Sequence, residues 1–495
     1  KVQATAQENQ TGLETNERYS PINKQKQLGT VLLATKEITA MTLERSYKAF
    51  LSYKYWTAQQ RIDCLLKMAS LLEANKTEFL YLLVYEGGKT LDDAVGEVRE
   101  AIDFCYYYAS QAQDKFSQPQ FLPGPTGESN SLSLHPRGII ACISPWNFPL
   151  AIFLGQVTAC LASGNCVIAK PASQTAMIGS RAVALLHEAG FPKDVVQLLP
   201  GSGAVVGNAL VSDNRVKGVV FTGSTETARG INQKLAAREG VIVPFIAETG
   251  GQNAMIVDSS ALPEQVTQDV ITSAFRSAGQ RCSALRVLFV QEEVADKIIN
   301  MIIGAMAELK VGHPGALSTD VGPVIDEAAK AQLHAHAVKM KEKATLLYEV
   351  PLSKDCENGS YFAPRLFEIS TLDVLTEEVF GPILHVVRFK ASKMDDVIAQ
   401  INRTGFGLTL GIHSRIDETV EDLISRLSVG NIYVNRNMIG AVVGVQPFGG
   451  EGLSGTGPKA GGPYYLPRLA TERTLSINTT AAGGNASLMS LAETS

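Results

Sequence analysis

The sequence has few cysteines, and none of them is arranged in a pair. Seven cysteines are spread over 495 residues, no two form a Cys-x-x-Cys motif, and none is clustered with histidine. An odd number of dispersed cysteines argues against a disulfide framework and against a structural zinc site, and it favours a reducing compartment. We therefore expect a cytoplasmic protein that holds no metal.

Long apolar runs and a strong charge bias are also missing. The formal net charge is −5 and no basic block stands out, so the composition gives no electrostatic case for nucleic-acid binding. The most apolar region, residues 138–170, is broken by prolines and asparagines and falls short of the roughly 18–20 apolar residues of a membrane helix. No signal peptide is visible. Because the first residue is Lys, we expect a processed product or a piece of a longer polypeptide.

The remaining composition is that of a globular protein with a large core. At 495 residues, 45% of them apolar, the chain is long enough for more than one domain. Residues 40–115 have helical periodicity, whereas from residue 138 short apolar strands alternate with helical segments, which predicts parallel sheets with crossover helices. For residues 58–75 the helical spacing predicts a buried face made of Ile62, Leu65, Leu66, Ala69 and Leu72.

Several short motifs could carry chemistry, and each also has a purely structural interpretation. Cys282 follows Gly-Gln-Arg and precedes an apolar run; it is either a nucleophile or a small buried hydrophobe. Glu248 ends an apolar strand and is either a solvated carboxylate or a partly buried base. Asn147, between two prolines, either belongs to a rigid turn or donates its amide N–H to an oxyanion.

The motifs occur in a fixed order that carries more information than any one of them. They read SPWNFP, IAKP, FTGSTE, ETGG, GQRC, EEVFGP and QPFGGEGLSG from residue 144 to residue 455. In order and spacing the chain resembles the aldehyde dehydrogenase superfamily over nearly its whole length. The resemblance implies an α/β fold with a Rossmann-like cofactor domain, an α/β catalytic domain and a small β-flap used for oligomerisation. The expected parts are a flexible arm at 1–20, the NAD-binding domain at 21–120 and 137–249, the catalytic domain at 250–450, the flap at 121–136 and 463–482, and a tail at 483–495.

The resemblance also implies roles for individual residues. Cys282 is expected to be the nucleophile, Glu248 the general base, and Asn147 the oxyanion donor together with the Cys282 backbone N–H. The expected cofactor is NAD. Its contacts are implied at Ile143, Pro145, Trp146, Lys170, Ser173, Gly203, Gly207, Phe221, Thr222, Gly223, Ser224, Glu378 and Phe380.

Position 173 departs from the pattern of many NAD-preferring members of the family. Those members carry a glutamate after Lys-Pro-Ala, and the glutamate binds the ribose hydroxyls. Here the residue is Ser173, which neither accepts two hydroxyl hydrogen bonds nor repels a 2′-phosphate. NAD remains the expected cofactor, with NADP as the weaker alternative.

Three segments indicate the substrate class. GQRCSA, MIGAVVGVQPFGG and the C-terminal GTGPKAGGPYYLPRLATERTLSINTTAAGGNASL resemble the glutamate-semialdehyde (1-pyrroline-5-carboxylate) dehydrogenases, above all those in the C-terminal half of bifunctional bacterial proline-utilization flavoenzymes. The resemblance implies NAD-dependent oxidation of L-glutamate γ-semialdehyde to glutamate, a homodimer or larger homo-oligomer, and an FAD-dependent proline dehydrogenase domain upstream in the same chain. The implied substrate contacts are Ser283, Gly440 and Ala441 for the carboxylate, Phe148 and Phe448 for the aliphatic stem, and Glu97 near the amino group.

Two alternatives remain open from the sequence. The chain could oxidise another small acid semialdehyde, such as succinic semialdehyde, but this requires a cationic anchor, and Arg436 is the only candidate in the loop at 436–448. It could also be a non-catalytic structural relative, although the presence of Cys282, Glu248 and Asn147 disfavours this.

Overall fold

The computed structural model describes residues 1–7 and 13–479. The longer helices in this part of the chain are α1 Lys36–Tyr53, α2 Ala58–Ala74, α3 Lys76–Tyr85, α4 Leu91–Phe116, α5 Ala151–Ala162, α6 Ala176–Ala189, α7 Asn208–Ser212, α8 Thr225–Ala236, α9 Pro263–Phe275, α10 Glu292–Ala307, α11 Glu327–Lys343, α12 Met394–Arg403, α13 Asp417–Arg426 and α14 Tyr465–Arg468. The strands are β1 Thr15–Ser20, β2 Asn23–Leu32, β3 Gln120–Leu122, β4 Glu128–Pro136, β5 Ile139–Ile143, β6 Cys166–Lys170, β7 Val196–Leu198, β8 Val216–Thr222, β9 Phe245–Glu248, β10 Ala254–Val257, β11 Val287–Gln291, β12 Thr345–Glu349, β13 Arg365–Glu368, β14 Ile383–Phe389, β15 Phe406–Gly407, β16 Thr409–His413, β17 Asn431–Val434, β18 Glu451–Gly452 and β19 Ala470–Asn478.

A five-stranded sheet forms the first half of the molecule. Its strand order is β7-β6-β5-β8-β9, and every neighbouring pair is parallel. The strands are short and apolar because helices such as α5, which is buried nearly all round, cover the sheet. The strands end at the residues that the sequence singled out: Ile143, Lys170, Thr222 and Glu248. Ligands of such sheets bind outside the carboxyl ends of the strands.

A seven-stranded sheet forms the second half. Its order is β12-β13-β14-β11-β10-β16-β17, and its pairs are parallel except β12 with β13. Buried apolar side chains form two separate clusters, one around each sheet. Cys282 lies in a turn just before β11, and it shares a cavity with Thr222 and Glu248, the last residues of β8 and β9. The prediction of an α/β fold with parallel sheets is confirmed.

A third, antiparallel sheet in the order β19-β4-β3 joins residues 120–136 to residues 470–478. Asn165, which is fully buried, ties this sheet to the first one. Its Oδ1 accepts hydrogen bonds from the backbone N–H groups of Arg137 (2.8 Å) and Gly138 (3.0 Å), and its Nδ2 donates to the Leu469 carbonyl (2.9 Å). Residues 480–482 of the predicted flap and the predicted tail at 483–495 lie outside the described residues.

Two expectations from the sequence are wrong. Within the predicted flexible arm, residues 15–20 form β1, which pairs antiparallel with β2, and Val2 is buried and donates its N–H to the Thr30 carbonyl. Backbone pairing orders this ribbon although few of its side chains are buried, so no apolar pattern marks it. In α2, Leu66 is 39% exposed and Met68 is fully buried. The buried stripe is therefore rotated relative to the predicted one.

The described residues contain neither a membrane-spanning helix nor a metal-binding cluster. No helix there is long and apolar enough to cross a bilayer. No group of three or more His, Cys, Asp or Glu residues in the same part of the chain is placed to hold a metal ion.

Candidate active site

The turn that carries Cys282 begins in an unusual backbone conformation. Ser277 (φ 55°), Ala278 (φ 53°) and Gly279 (φ 66°) are all left-handed. A left-handed residue other than glycine costs roughly 1–2 kcal/mol, so surrounding contacts must hold this segment. The Asp93 carboxylate of α4 accepts a hydrogen bond from the Ser277 N–H at 3.1 Å. At Gly279 a Cβ would collide with the Gly381 carbonyl, so glycine is required there.

Asp93 also gathers positive charge behind the nucleophile turn. Its Oδ1 accepts hydrogen bonds from Arg276 Nε and Arg281 Nη2, each at 2.7 Å. Burial alone would raise the pKa of Asp93, but Arg281, Arg276 and Lys89 hold that pKa well below its usual range. The ionised carboxylate thus fastens α4 to the segment that precedes Cys282, which the sequence analysis did not predict.

The carbonyl groups of the nucleophile turn are held by side chains from two other segments. Asn253 Nδ2 donates to the carbonyls of Cys282 (2.6 Å) and Ala284 (3.0 Å). Thr409 Oγ1 donates to the Ser283 carbonyl at 3.2 Å. The sequence analysis missed both residues. Asn253 is the second residue after the ETGG motif that contains Glu248, and this was the available signal.

The predicted nucleophile and the predicted base open into one cavity of about 100 Å³. Cys282 is partly exposed to it, and Ser283 beside it is buried. The Ser283 hydroxyl has no hydrogen-bond partner among the described residues, so it is free to bind a ligand. The cavity is lined by Glu100, Phe104, Phe148, Ile152, Thr222, Glu248, Thr249, Arg281, Cys282, Ser283, Ile439, Ala441, Val443, Gln446, Phe448 and Ala460.

Burial and nearby charges perturb both reactive groups. Burial, followed by the negative charges of Glu378 and Glu248, raises the pKa of the Cys282 thiol to about 12, although Arg286 opposes the shift. Burial raises the pKa of Glu248 to about 8 against a hydrogen bond from the Gly450 N–H (3.0 Å) and the charge of Lys459. Glu248 Oε1 has no hydrogen-bond partner within the described chain. A carboxylate of this kind is suited to accept a proton near neutral pH.

Asn147 lies against the nucleophile turn and not directly in the cavity wall. Its Nδ2 donates a hydrogen bond to the Gln280 carbonyl at 3.1 Å. An amide nitrogen carries two hydrogens, so this bond orients the group and leaves one hydrogen available. The Cys282 backbone N–H makes no hydrogen bond within the described residues, which leaves a second donor at the same place.

The predicted substrate contacts are only partly brought together. Ser283, Phe148, Phe448 and Ala441 line the cavity, whereas Gly440 lines an adjoining cavity of about 350 Å³. That larger cavity shares with the first one the side chains of Glu100, Phe148, Arg281, Ile439, Ala441 and Val443.

Glu97 lines the adjoining cavity of about 350 Å³ but not the cavity of Cys282. Its Oε1 accepts hydrogen bonds from the backbone N–H groups of Leu150 (2.8 Å) and Ala151 (3.2 Å), and its Oε2 lies 2.6 Å from Lys89 Nζ. These partners occupy the carboxylate at the start of α5. Glu100, three residues further along α4, lines both cavities instead. Burial, with Glu97 adding to it, raises the pKa of Glu100 to about 7.

A separate cavity of about 430 Å³ lies at the carboxyl end of the first sheet, and its wall includes Ile143, Lys170, Gly203 and Gly207. Lys170 is buried, its pKa is lowered to about 8 by that burial, and it forms no ion pair with the described residues. A Cβ at Gly203 would meet no protein atom, so packing within the chain does not demand glycine there. An unpaired buried ammonium and bare backbone fit a polar ligand such as a dinucleotide. Lys234, which the sequence analysis missed, also lines this cavity.

The other predicted cofactor residues do not line the cavity of Lys170. Thr222 lines the cavity of Cys282, and Ser224 caps α8 by accepting a hydrogen bond from the Thr227 N–H at 3.2 Å. The Gly223 N–H donates to the Glu248 carbonyl at 3.1 Å, and Phe221 is buried beneath it. Pro145 and Ser173 are partly exposed.

Glu378 and Phe380 lie beside the nucleophile turn. Arg286 Nη2 is 3.3 Å from Glu378 Oε1. The Phe380 ring packs edge-on against Trp146, with ring centroids 5.4 Å apart. The structure therefore places these predicted cofactor residues next to one another and next to the turn of Cys282.

Comparison with known proteins identifies close relatives. The chain is 53% identical over 423 residues to the bifunctional protein PutA of Klebsiella aerogenes, covering 84% of this chain and 31% of that protein. It is 36% identical over 462 residues to a 1-pyrroline-5-carboxylate dehydrogenase of Bacillus cytotoxicus, covering 92% of this chain and 89% of the relative. A crystal structure of a Bradyrhizobium japonicum proline utilization A mutant superposes with a TM-score of 0.89 at 58% identity, over 91% of this chain and 46% of the other.

The bifunctional relatives are much longer than this chain, which spans about a third (31%) of the curated PutA protein. Residues 7–475, by contrast, match the profile of the aldehyde dehydrogenase family, which is most of the chain. The thiol, the carboxylate and the cavity of Lys170 described above agree with this match. The chain belongs to the aldehyde dehydrogenase family.

Proposed function

We propose that the chain catalyses the NAD-dependent oxidation of L-glutamate γ-semialdehyde to L-glutamate. The observation that carries the proposal is the single cavity that Cys282, Glu248 and the unbonded hydroxyl of Ser283 share between Phe148 and Phe448. The similarity to a 1-pyrroline-5-carboxylate dehydrogenase over 92% of the chain supports the substrate class.

In the proposed mechanism the first half-reaction begins at Cys282. Because burial raises the pKa of the thiol to about 12, its proton must leave as Sγ attacks the aldehyde carbon, and the ionised carboxylate of Glu248 can accept it at Oε1. The oxygen of the resulting thiohemiacetal takes hydrogen bonds from the free Asn147 amide hydrogen and the Cys282 N–H. When bound, the nicotinamide dinucleotide supplies the acceptor for the hydride that then leaves the carbon.

The second half-reaction releases the acid. Once Glu248 has passed its proton to solvent, its carboxylate removes a proton from water, and the hydroxide attacks the Cys282 thioester. The carbon–sulfur bond breaks, glutamate leaves, and the thiol is restored. Aromatic walls exclude bulk water from the rest of the cavity, which strengthens each of these electrostatic contacts.

Substrate recognition is proposed to divide between the two ends of an amino acid. Ser283 Oγ and the N–H groups of Gly440 and Ala441 are the proposed donors to the carboxylate, since an anion needs several donors. Glu100, and not Glu97, is proposed to attract the ammonium group, because Glu100 faces both cavities whereas Glu97 already has three partners. Phe148 and Phe448 would flank the aliphatic stem.

The proposal includes the larger assembly that the resemblance implies. We propose that an FAD-dependent proline dehydrogenase domain belongs to the same polypeptide and supplies the substrate. We also propose that the sheet β19-β4-β3 mediates oligomerisation, with NAD preferred over NADP in the cavity of Lys170.

The first prediction concerns Glu248. A base must be ionised to act, so turnover should rise with pH and level off above about 8, the pKa to which burial raises Glu248. Glu248→Gln should still form one NADH per active site in the first turnover, but more slowly than wild type because the Cys282 thiol loses its proton acceptor, and later turnover should be roughly 10²–10⁴-fold slower, the usual contribution of a general base. Stopped-flow absorbance of NADH measures both phases. Steady-state turnover at the wild-type rate would make Glu248 a purely structural residue.

The second prediction concerns the substrate carboxylate and tests the proposed function directly. Ser283→Ala removes one charge-assisted hydrogen bond worth roughly 1.5–3 kcal/mol, so kcat/KM for glutamate semialdehyde should fall about tenfold to hundredfold. For propanal, which has no carboxylate, kcat/KM should hardly change. Equal losses for both aldehydes would assign Ser283 to the support of Cys282. A wild-type preference for succinic semialdehyde would replace the proposed substrate.

The third prediction concerns cofactor choice. Ser173→Glu should raise the ratio of kcat/KM with NAD to kcat/KM with NADP by about fivefold, since a charge about 4 Å from a 2′-phosphate repels it by about 1 kcal/mol in water. Ser173→Gln, of similar size and no charge, is the matched control. If glutamate and glutamine act alike, the side chain at 173 points away from the ribose.

The fourth prediction concerns the flap. Phe121 (74% exposed), Leu475 (53%) and Ile477 (50%) expose apolar surface on one three-stranded sheet, which marks an interaction surface. Leu475→Lys with Ile477→Lys should shift the mass measured by light scattering from that of an oligomer toward that of one chain. Exposed Leu317→Lys, which is remote in sequence from the flap, serves as the control. A wild-type protein that is monomeric at all concentrations would refute the proposal.

A further inference from the structure

Arg286 is the largest fully buried side chain of the described residues, at 1% exposure, and it bridges two loops of the site. Nη1 donates to the carbonyl of Gly279 at 2.7 Å and to that of Gly381 at 3.3 Å. Nη2 donates to the carbonyl of Arg281 at 2.9 Å and to Glu378 Oε1 at 3.3 Å. Gly279 and Arg281 belong to the turn of Cys282, whereas Glu378 and Gly381 belong to the EEVFGP loop.

The backbone of Arg286 is fixed independently of its side chain. Its N–H donates to the Asn253 carbonyl, and its carbonyl accepts from the His385 N–H, each at 3.0 Å. The guanidinium therefore extends from a hydrogen-bonded position just before β11 into the gap between the two loops, and the Phe380 ring lies beside it, 5.1 Å from its carbon to the ring centroid. A planar fork can bond to both loops at once, which a lysine ammonium on a flexible stem cannot do.

Arg286 also affects the charge around Sγ. Glu378 and Glu248 both disfavour the thiolate of Cys282, and Arg286 is the positive group that opposes them. Removing the arginine would leave Glu378 without its buried partner and would add an unbalanced negative charge near the thiol.

We propose that Arg286 is a positioning residue that holds the Cys282 turn and the Glu378 loop in one arrangement and supplies a positive charge that favours the thiolate. The inference rests on the role proposed above for Cys282. In this arrangement the EEVFGP loop, which carries two predicted cofactor contacts, moves only together with the turn of Cys282.

The test measures thiol reactivity without cofactor or substrate. The rate of carbamidomethylation of Cys282 by iodoacetamide is followed from pH 7 to about pH 10 by mass spectrometry of the Cys282 peptide, in wild type, Arg286→Met, Arg286→Lys and Glu378→Gln. Below the pKa of a thiol, the logarithm of this rate plotted against pH is a rising straight line. A change in the pKa of Cys282 therefore shifts the whole line along the pH axis.

Removing the charge of Arg286 and removing the charge of Glu378 should shift the line in opposite directions. Arg286→Met should move the line to higher pH by about one unit, which is about a tenfold slower reaction at fixed pH, and Glu378→Gln should move it to lower pH. Arg286→Lys keeps the charge and loses the fork, so its line should stay within about half a unit of wild type while kcat falls at least tenfold. Arg365→Lys is the matched control, because Arg365 pairs with Glu349 at 2.9 Å and stacks on Phe362 away from the site.

Distinct outcomes overturn distinct claims. Wild-type kcat in Arg286→Lys would refute the positioning role, and superimposed lines for Arg286→Met and wild type would refute the charge role. If Arg286→Met does not fold, as judged by circular dichroism, Arg286→Gln, which is also uncharged but keeps a hydrogen-bond donor, replaces it in the same measurement. Retained dehydrogenase activity in Cys282→Ala would instead remove the proposed function, and the alkylation lines would not report on it.

Discussion

Three consecutive backbone carbonyls, those of Arg281, Cys282 and Ser283, each accept a hydrogen bond from a side chain elsewhere in the chain. The donors are Arg286, Asn253 and Thr409. The turn needs this support because the three residues that lead into it are left-handed. With the carbonyls held from outside, the Cys282 N–H and the Ser283 hydroxyl stay unpaired and can bind a ligand. The donor geometry of the cavity thus depends on where these carbonyls are fixed.

Burial in the cavity also controls the pKa values of the two reactive groups. Cys282 and Glu248 occupy a low-dielectric cavity, so burial is the largest influence on the pKa of each group, and it favours the neutral form of both. A neutral thiol is protected from oxidation and stray alkylation while the site is empty. With a pKa of about 8, the carboxyl group of Glu248 loses its proton near that pH and, once ionised, can accept a proton from water. Reactivity is therefore set by what enters the cavity, because an added positive charge stabilises the thiolate.

The sequence predicted the layers of the fold, whereas contacts between distant segments escaped it. Cys282, Glu248, Ser283 and Lys170, which it proposed for chemistry and ligand binding, stand in short motifs, and the structure places the first three in one cavity and Lys170 in another. Arg286 and Asn253 act on carbonyl groups, which every residue has, so no residue pattern reveals their partners. Whether Glu97 or Glu100 lines the cavity of Cys282 depends on which side of α4 faces α5. The two residues are three positions apart on α4, so helical spacing alone places them side by side and does not distinguish them. The ribbon of β1 and β2 was missed because backbone pairing, and not apolar burial, orders it.

Glycine contacts explain why widely separated motifs occur together. A Cβ at Gly250 of the ETGG motif would overlap the carboxylate of Glu378 in the EEVFGP motif, and a Cβ at Gly279 would overlap the Gly381 carbonyl of that same motif. A Cβ at Gly449 in QPFGGEGLSG would lie 2.7 Å from Glu248 Oε1, closer than protein packing allows. Each of these glycines thus lies against a residue of a different motif, more than a hundred positions away in every case. At Gly279 the opposing atom is backbone, so glycine is required there, whereas at Gly250 and Gly449 it is the end of a glutamate side chain that an added Cβ would displace. The four motifs are parts of one close-packed unit, and a larger residue at these positions would shift the Glu248 carboxylate, the Glu378 carboxylate or the loop that Arg286 connects to the turn of Cys282.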